Sequence, residues 1–201
     1  DLLGLTQDFQ YLSHNGVYLG MTVFNDTNKV PVYVPETNTA EYISAKARTV
    51  IIDNNLLEED QEHRYRYTMG HEGGHDIFHR RYFAYDPNQL SFLASVSVPI
   101  IQCREVPLNG ENKPVSQWND KDSMEWQANY LSSCLLMPKS MVRKLIESLQ
   151  SQDDFLGNDT YIYSVVKTFD VSYQATEYRL KELGLLNKNK PGSSSILEFS
   201  V

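Results

Sequence analysis

The sequence predicts an α+β fold, in which a small mixed or antiparallel β-sheet packs on two helices and a helical C-terminal part follows. Two observations lead to this prediction. Residues 17–53 contain three segments rich in Val, Ile, Tyr and Thr, which favour extended structure. After residue 58, apolar residues recur mostly at helical spacing, and glycine, proline or polar clusters separate the segments.

The three predicted strands are residues 17–24, 30–34 and 47–53. The polar run Asn25-Asp26-Thr27-Asn28 separates the first two, and a turn cluster of this kind predicts that they form a hairpin. Pro31 and Pro35 cannot donate a backbone hydrogen bond, so the second strand is expected at an edge of the sheet.

The first long helix is predicted over residues 58–81, and it contains Gly70, Gly73 and Gly74. Each glycine costs a helix roughly 1 kcal/mol relative to Ala, so three of them within five residues require a packing or functional reason. Residues 82–121 carry several turn signals around one β-prone run. This segment is predicted to be a loop-rich insertion with one strand or hairpin.

A second long helix is predicted from Asp122-Ser123, which can cap it, to the stop at Pro138. Three shorter helical patterns follow, at residues 139–150, 159–168 and 172–183. The length fits one domain, at about 150 residues per domain. We predict a single domain over residues 1–186, with its helical C-terminal part at 139–186 and a flexible tail at 187–201.

The charge and apolar content of the chain argue against several classes of partner. The 201 residues include 18 Lys and Arg against 26 Asp and Glu, a formal net charge of -8, so direct binding of nucleic acid is not expected. No run approaches the roughly 18 apolar residues of a membrane span, and the first residues lack a signal-peptide pattern. We therefore expect a cytoplasmic protein without a membrane partner.

Cys103 and Cys134 are too few for a disulfide framework and are expected to be reduced thiols.

The segment His71-Glu72-Gly73-Gly74-His75 carries the strongest chemical signal. On a helix, two histidines four residues apart lie on one face, about 6 Å apart along the axis, so both can reach one metal ion. Imidazole nitrogens suit Zn²⁺, and a coordination position left for water lets zinc lower the pKa of that water towards about 7. Glu72 would accept the proton as general base. The pattern is the H-E-x-x-H arrangement of zincins.

A catalytic zinc site usually has three protein ligands, so a further ligand is needed. His79 lies about 12 Å along the helix axis from His71, too far for both to bind one ion. It is expected to be an outer contact of the site at best, or a surface group. Glu125, near the start of the second long helix, is the better candidate for the third ligand.

The residues that follow Glu125 support this assignment, because Ala128 and Asn129 fall on the same helical face. The small Ala128 would let the second helix approach the first closely, where Gly73 or Gly74 could receive it. Asn129, one turn after the ligand, could hydrogen-bond the outer nitrogen of a ligating histidine and fix its tautomer.

From about Arg48 to Leu186, the sequence resembles the ImmA/IrrE-type metallopeptidases. The resemblance rests on the strand TVIID, the segment RYRYTMGHEGGH, the later E-x-x-A-N, the LLMP that closes that helix, and the distal V-S-x-x-A-x-x-x-R-L-x-x-L-G-L. It implies a gluzincin-like fold, His71, His75 and Glu125 as zinc ligands, and Glu72 as the catalytic residue. It also implies an intracellular enzyme that cleaves helix-turn-helix repressors encoded nearby.

Two other functions remain open from the sequence. Residues 159–183 have a helix-turn-helix-like pattern, in which Ser172 could cap a recognition helix carrying Arg179 and Lys181, and this would make the chain a DNA-binding regulator. Packing of this helical pair within the protein is the simpler interpretation, since acidic residues dilute its charge. The other alternative is a zincin-like scaffold that binds a regulator without cleaving it.

Two further expectations concern the substrate. Tyr65, Tyr67 and Tyr130 lie near the motifs, and any of them could polarise a scissile carbonyl. An extended peptide could pair with an edge strand such as Arg48 to Asp53.

Overall fold

The structure is a computed structural model that describes residues 3–84, 101–105, 114–151 and 156–186, with the backbone alone described at 101–105. It confirms the α+β class, with a small sheet and five helices in these residues. The chain divides into two compact units, Asp1–Leu136 and Met137–Val201. The single domain expected over residues 1–186 stays a prediction, and the expected tail lies outside the described residues.

The first unit contains six strands: β1 (Thr6–Gln10), β2 (Tyr18–Val23), β3 (Thr27–Val34), β4 (Thr39–Ala45), β5 (Thr49–Asp53) and β6 (Ile101–Glu105). Four of them form a mixed sheet in the order β1-β5-β2-β6, in which β1 runs parallel to β5 and the other pairs are antiparallel. The strands β3 and β4 form a separate antiparallel pair.

The first unit also contains two long helices, α1 (Glu62–Phe83) and α2 (Asp120–Leu136). The helix expected over residues 58–81 is therefore confirmed, although residues 54–57 and 59–61 form short 3₁₀ turns before it. The second helix begins two residues before the expected cap. Its first turn is stabilised by reciprocal hydrogen bonds, because the backbone N–H of Asn119 donates to the Asp122 carboxylate and the Asp122 N–H donates to the Asn119 side chain.

The core of the first unit lies on both faces of β5, whose apolar residues are all fully buried. Ile51 packs with Val30 and Val32 of β3 on one face. Val50 and Ile52 pack with Leu19 and Leu56 on the other face, where the side chains of α1 join the same cluster. Because its neighbours β1 and β2 occupy both of its edges, β5 is a central strand, which explains its uninterrupted apolar run.

Two expectations about the strands were wrong. The predicted hairpin between the first two strands does not form, since β2 lies in the four-stranded sheet and β3 pairs with β4. The turn around Asp26 instead contacts the segment before β5, because the Asp26 carboxylate accepts hydrogen bonds from Lys46 Nζ and from the backbone N–H of Ala47. The edge strand expected at Arg48 to Asp53 is also wrong, because β5 is central and has no free edge for a peptide.

Close approach of α1 and α2 explains two of the three helical glycines. A Cβ at Gly74 would lie 3.1 Å from the Ala128 Cα, and one at Gly70 would lie 2.6 Å from the Ser132 Oγ. The expected packing of Ala128 on Gly74 is therefore confirmed. A Cβ at Gly73 would meet only the end of the Leu3 side chain, at 3.7 Å, so Gly73 is not part of this contact.

The second unit contains α3 (Lys139–Gln150), α4 (Asn158–Phe169) and α5 (Tyr173–Glu182), close to the three helices expected there. Ser172 caps α5 as predicted, since its hydroxyl accepts a hydrogen bond from the Ala175 N–H. Gly184 has a φ of 66°, the left-handed conformation expected where a helix ends at glycine. Val165 and Leu180 are fully buried.

Other expectations are tested only in part. The strand expected in the insertion is present as β6, while most of the insertion lies outside the described residues. Cys134 is a free cysteine, and the side chain of Cys103 is not among those described. Within the described part of the chain, no helix is long and apolar enough to cross a membrane.

Candidate metal centre

The H-E-x-x-H segment lies in the middle of α1, between the sheet and α2. His71, Glu72 and His75 are at most 1% exposed. The two imidazole rings are one helical turn apart, with ring centroids separated by 4.7 Å. The helix therefore presents both rings at one buried position, as the four-residue spacing predicts.

Glu125 on α2 completes a cluster with the two histidines. The two Nε2 atoms of His71 and His75 lie 3.0 Å apart, and they lie 3.2 Å and 3.6 Å from the nearer carboxylate oxygens of Glu125. Ligands bound tetrahedrally at zinc distances near 2.0 Å lie about 3.3 Å from one another. The three side chains are thus close enough to hold one metal ion, and the set of two imidazoles and one carboxylate suits zinc.

The hydrogen bonding of Glu125 also fits a cation at this position. Its Oε1 is buried and has no hydrogen-bond partner among the described residues, which is costly for a carboxylate oxygen. Burial raises the pKa of Glu125, but the interactions with His71 and His75 outweigh burial and hold the pKa well below its usual value. A carboxylate in its ionised form could serve as a metal ligand, because metal binding requires deprotonated ligands.

The outer nitrogen of His71 is held by Asn129, the residue that the sequence indicated for this contact. The Asn129 Oδ1 lies 3.0 Å from the His71 Nδ1. The Tyr67 hydroxyl donates to the backbone oxygen of Asn129 at 3.3 Å. A carbonyl oxygen at Nδ1 keeps the proton there and leaves Nε2 free to bind a metal.

The outer nitrogen of His75 is held differently, through His79. The Nδ1 atoms of His75 and His79 lie 2.9 Å apart, and the His79 Nε2 lies 2.9 Å from the Gln127 Oε1. His79 is 4% exposed, so it is an outer contact of the site and not a surface group. Gln127 could not be recognised from the sequence, where its only signal is its position two residues after Glu125.

Glu72 lies beside the cluster and is held by β2. The hydroxyl of Thr22 donates to the Glu72 Oε2 at 2.7 Å, while the Glu72 Oε1 is buried without a hydrogen-bond partner in the described residues. A Cβ at Gly20 would lie 2.7 Å from the Thr68 Cγ2 and 3.1 Å from the Glu72 Cγ, so glycine makes room for both side chains of α1.

The electrostatic environment of Glu72 suits a group that exchanges protons. Burial raises the pKa of Glu72, and the interactions with His71 and His75 and the hydrogen bond from Thr22 only partly oppose this effect. The sequence analysis did not identify Thr22 or Gly20. A glycine inside an otherwise β-prone run is the signal that points to a close approach in β2.

The three tyrosines near the motifs have different contacts. The Tyr65 hydroxyl accepts a hydrogen bond from the Gln7 side chain at 2.6 Å, and Tyr67 supports Asn129. Tyr130 stacks on Trp126, with ring centroids 5.1 Å apart. Tyr67 is therefore linked to the candidate metal-binding residues through Asn129, and the polarisation of a scissile carbonyl by one of the three tyrosines stays a prediction.

Comparison with protein families agrees with the resemblance found in the sequence. The family model of the IrrE N-terminal-like domain, a peptidase family, matches residues 109–181, which are 73 of the 201 residues. The matched segment includes Glu125 and Asn129 and lies after the H-E-x-x-H segment. No curated protein gives a significant match. The match confirms the similarity to the ImmA/IrrE family and indicates a metallopeptidase.

Proposed function

We propose that this chain is a zinc-dependent endopeptidase with a zincin-like active site. The observation that carries the proposal is the cluster of the buried His71 and His75 on one helix with the partly exposed Glu125 on another, next to the buried Glu72. Three protein ligands are the usual number in a catalytic zinc site, which keeps a position open for the reaction. The match to a peptidase family supports the same class of reaction.

Each residue of the site has a distinct role in this proposal. Zinc, when held by the three ligands, would supply a Lewis acid that polarises the scissile carbonyl and acidifies a water molecule. Glu72 accepts a proton from the attacking water at Oε1, which has no partner among the described residues, and returns the proton to the leaving amine. Thr22 holds the other carboxylate oxygen and so fixes the direction of Oε1. Burial raises the pKa of Glu72, which is the direction that favours return of the proton to the leaving amine.

The proposed substrate is a helix-turn-helix repressor, and this part of the proposal depends on the family resemblance. An extended substrate segment needs a free strand edge for pairing. In the described part of the four-stranded sheet the outer strands are β1 and β6, and β6 neighbours β2, which carries Thr22. We propose that the substrate reaches Glu72 along this side of the sheet, in a cytoplasmic setting.

The DNA-binding alternative loses support from the contacts within α5. Arg179, expected to face DNA, is 2% exposed, and its guanidinium donates to the backbone oxygen of Met137 and to the carboxylate of Glu182. Lys181 forms an ion pair with Glu177 at 2.7 Å. These contacts favour a structural role for the helical pair in the second unit. A mobility shift of DNA at micromolar protein concentration that weakens with added salt would restore the DNA-binding alternative.

Zinc content of variants tests the ligand assignment. His71→Ala, His75→Ala and Glu125→Ala should each lose zinc after purification without added metal, because each removes one of three ligands. His79→Ala should keep about one zinc per chain at saturating metal, since His79 contacts the outer nitrogen of His75 and is not one of the three proposed ligands. Glu147→Ala, which removes an exposed carboxylate on α3, is the matched control. Equal zinc content in the wild type and Glu125→Ala would contradict the assignment.

A further inference from the structure

We infer that Gln127 and His79 act together as a positioning relay, which fixes the tautomer of His75 so that its Nε2 is the atom free to bind the metal. The inference extends the proposed function and rests on it. Neither residue belongs to the ligand set, and neither is expected to touch the substrate. Their effect would be transmitted through two consecutive hydrogen bonds, from the Gln127 side chain to the His79 ring and from the His79 ring to the His75 ring.

The direction of these hydrogen bonds follows from the orientation of the Gln127 amide, which turns its oxygen and not its NH₂ group to His79. Its Oε1 lies 2.9 Å from the His79 Nε2, and a carbonyl oxygen can only accept, so the proton is on the His79 Nε2. A neutral imidazole carries one N–H and one acceptor nitrogen, so the His79 Nδ1 is the acceptor.

The tautomer of His79 determines the tautomer of the next ring on α1, that of His75. Since the His79 Nδ1 accepts, the His75 Nδ1 that lies 2.9 Å away carries a proton and donates it. The His75 Nε2 is then unprotonated and points to the cluster, 3.0 Å from the His71 Nε2. If Gln127 did not select the tautomer, a reversed relay would place the proton on the His75 Nε2 and prevent this atom from binding a metal.

The two histidine ligands therefore depend on acceptors from the same helix in different ways. Asn129 contacts His71 directly, whereas Gln127 acts on His75 through one intervening ring. Both acceptors lie on α2, which also supplies Glu125. The packing of α2 on α1 would therefore fix both the position of the Glu125 carboxylate and the tautomers of the two imidazoles.

Gln127→Leu is the sharpest variant, because Gln127 is an exposed residue and leucine of similar size leaves the fold intact. Loss of an outer contact to a metal ligand typically weakens metal binding 10- to 100-fold, so the Zn²⁺ dissociation constant should rise by roughly tenfold or more in Gln127→Leu and His79→Ala. Gln127→Glu keeps an acceptor oxygen and should stay within a few-fold of the wild type. Gln174→Leu, at an exposed glutamine on α5, is the control for the change of residue type.

A spectroscopic measurement separates the relay from a general loss of stability. In the Co²⁺-substituted wild-type protein, paramagnetic proton NMR should show two ring N–H signals that exchange slowly with solvent, one for each histidine ligand. Gln127→Leu and His79→Ala should lose one of these signals through fast exchange, and Asn129→Leu should lose the other.

Retention of both signals and of wild-type Zn²⁺ affinity in Gln127→Leu would overturn the relay and leave the proposed metal site standing. A wild-type protein that binds neither Zn²⁺ nor Co²⁺ would overturn the proposed function and the relay together. The two failures are therefore distinguishable from the same set of titrations.

Discussion

The burial and the hydrogen bonding of the Glu72 carboxylate are the features that point most directly to a chemical role. Its carboxylate is fully buried, has one oxygen held by Thr22 and has the other without a partner in the described residues. A buried carboxylate with an unsatisfied oxygen destabilises a fold, so its presence here favours a functional explanation. The position of Glu72 next to His71 also keeps it within reach of the cluster without making it a ligand.

Glu72→Gln tests whether this residue acts as the general base. Glutamine has nearly the same shape and can hydrogen-bond, but it cannot accept a proton as a base. The variant should fold and keep its zinc, while cleavage falls by roughly 10²-fold or more, the size expected for a positioned acid-base group. Metal analysis and cleavage rates should be measured on the same preparation. Hydrolysis at the wild-type rate with matched zinc content would show that Glu72 is not the base.

Thr22→Val tests the contact that holds Glu72. Valine preserves the branched shape of threonine but removes the hydroxyl that donates to the Glu72 Oε2. One lost hydrogen bond to a charged group corresponds to about tenfold in rate, at 1.4 kcal/mol per factor of ten. Cleavage should therefore fall by roughly tenfold in Thr22→Val at unchanged zinc content, and Thr22→Ser should recover most of it. If valine and serine behave alike, the hydroxyl does not position Glu72.

At the residue scale, the sequence predicted the side chains that short-range spacing brings together. His71, Glu72 and His75 follow from one helical turn, and the small residues after Glu125 indicated the second helix that packs on them. Thr22 and Gln127 could not be found in this way. Thr22 reaches Glu72 from a strand 50 positions earlier, and Gln127 acts through His79 on another helix. Neither contact therefore follows from the regular spacing of residues within one helix or strand.

At the scale of elements, the geometry of the site depends on how closely α2 approaches α1. Gly70 and Gly74 lie at this contact, where a Cβ would meet Ser132 and Ala128 respectively. The Ser132 hydroxyl also donates to the backbone oxygen of Tyr67 at 2.7 Å, which joins the two helices by a hydrogen bond. The cost of glycine to helix stability is therefore offset by a close helix pair that brings Glu125 to the histidines.

Gly70→Ala and Gly73→Ala form a matched pair that tests this explanation. Alanine raises helix stability by up to about 1 kcal/mol at either position. At Gly70 the new methyl would lie 2.6 Å from the Ser132 Oγ, and overpacking of this kind costs about 1–3 kcal/mol. Denaturant unfolding should show that Gly70→Ala lowers the free energy of unfolding and Gly73→Ala leaves it equal or higher. Equal effects of the two variants would contradict a close contact at Gly70.

Strand pairing was predicted less well than the helices, and the reason is physical. The residues of β2, β3 and β5 indicated extended structure, and all three strands are present. Their partners depend on contacts that are distant in the sequence, so the turn at residues 25–28 did not reveal that β3 pairs with β4. The polar sequences of β1 and β4 gave no apolar alternation, and both strands were missed.

At the scale of the whole molecule, the acidic net charge and the burial of the site limit which classes of substrate can bind and in what conformation. A net charge of -8 disfavours nucleic acid as the direct partner. Because Glu72 and both histidines are almost completely buried, the proposed protein substrate would have to offer an extended segment and not a folded surface. A folded protein substrate should therefore be cut at an exposed loop or linker and yield few products.

The last prediction concerns the repressor that the family resemblance implies. Incubation of the zinc-loaded protein with a helix-turn-helix repressor encoded nearby should give one or a few discrete fragments, since cleavage is limited to segments that can enter the site. A chelator should abolish the fragments and added Zn²⁺ should restore them, because the reaction requires the metal. Glu72→Gln, loaded with zinc, should give none above background and serves as the control for a contaminating protease. Fragments that persist with the chelator or with Glu72→Gln would have another source. Intact repressor in a stable complex with the zinc-loaded protein would favour the scaffold that binds a regulator without cleaving it.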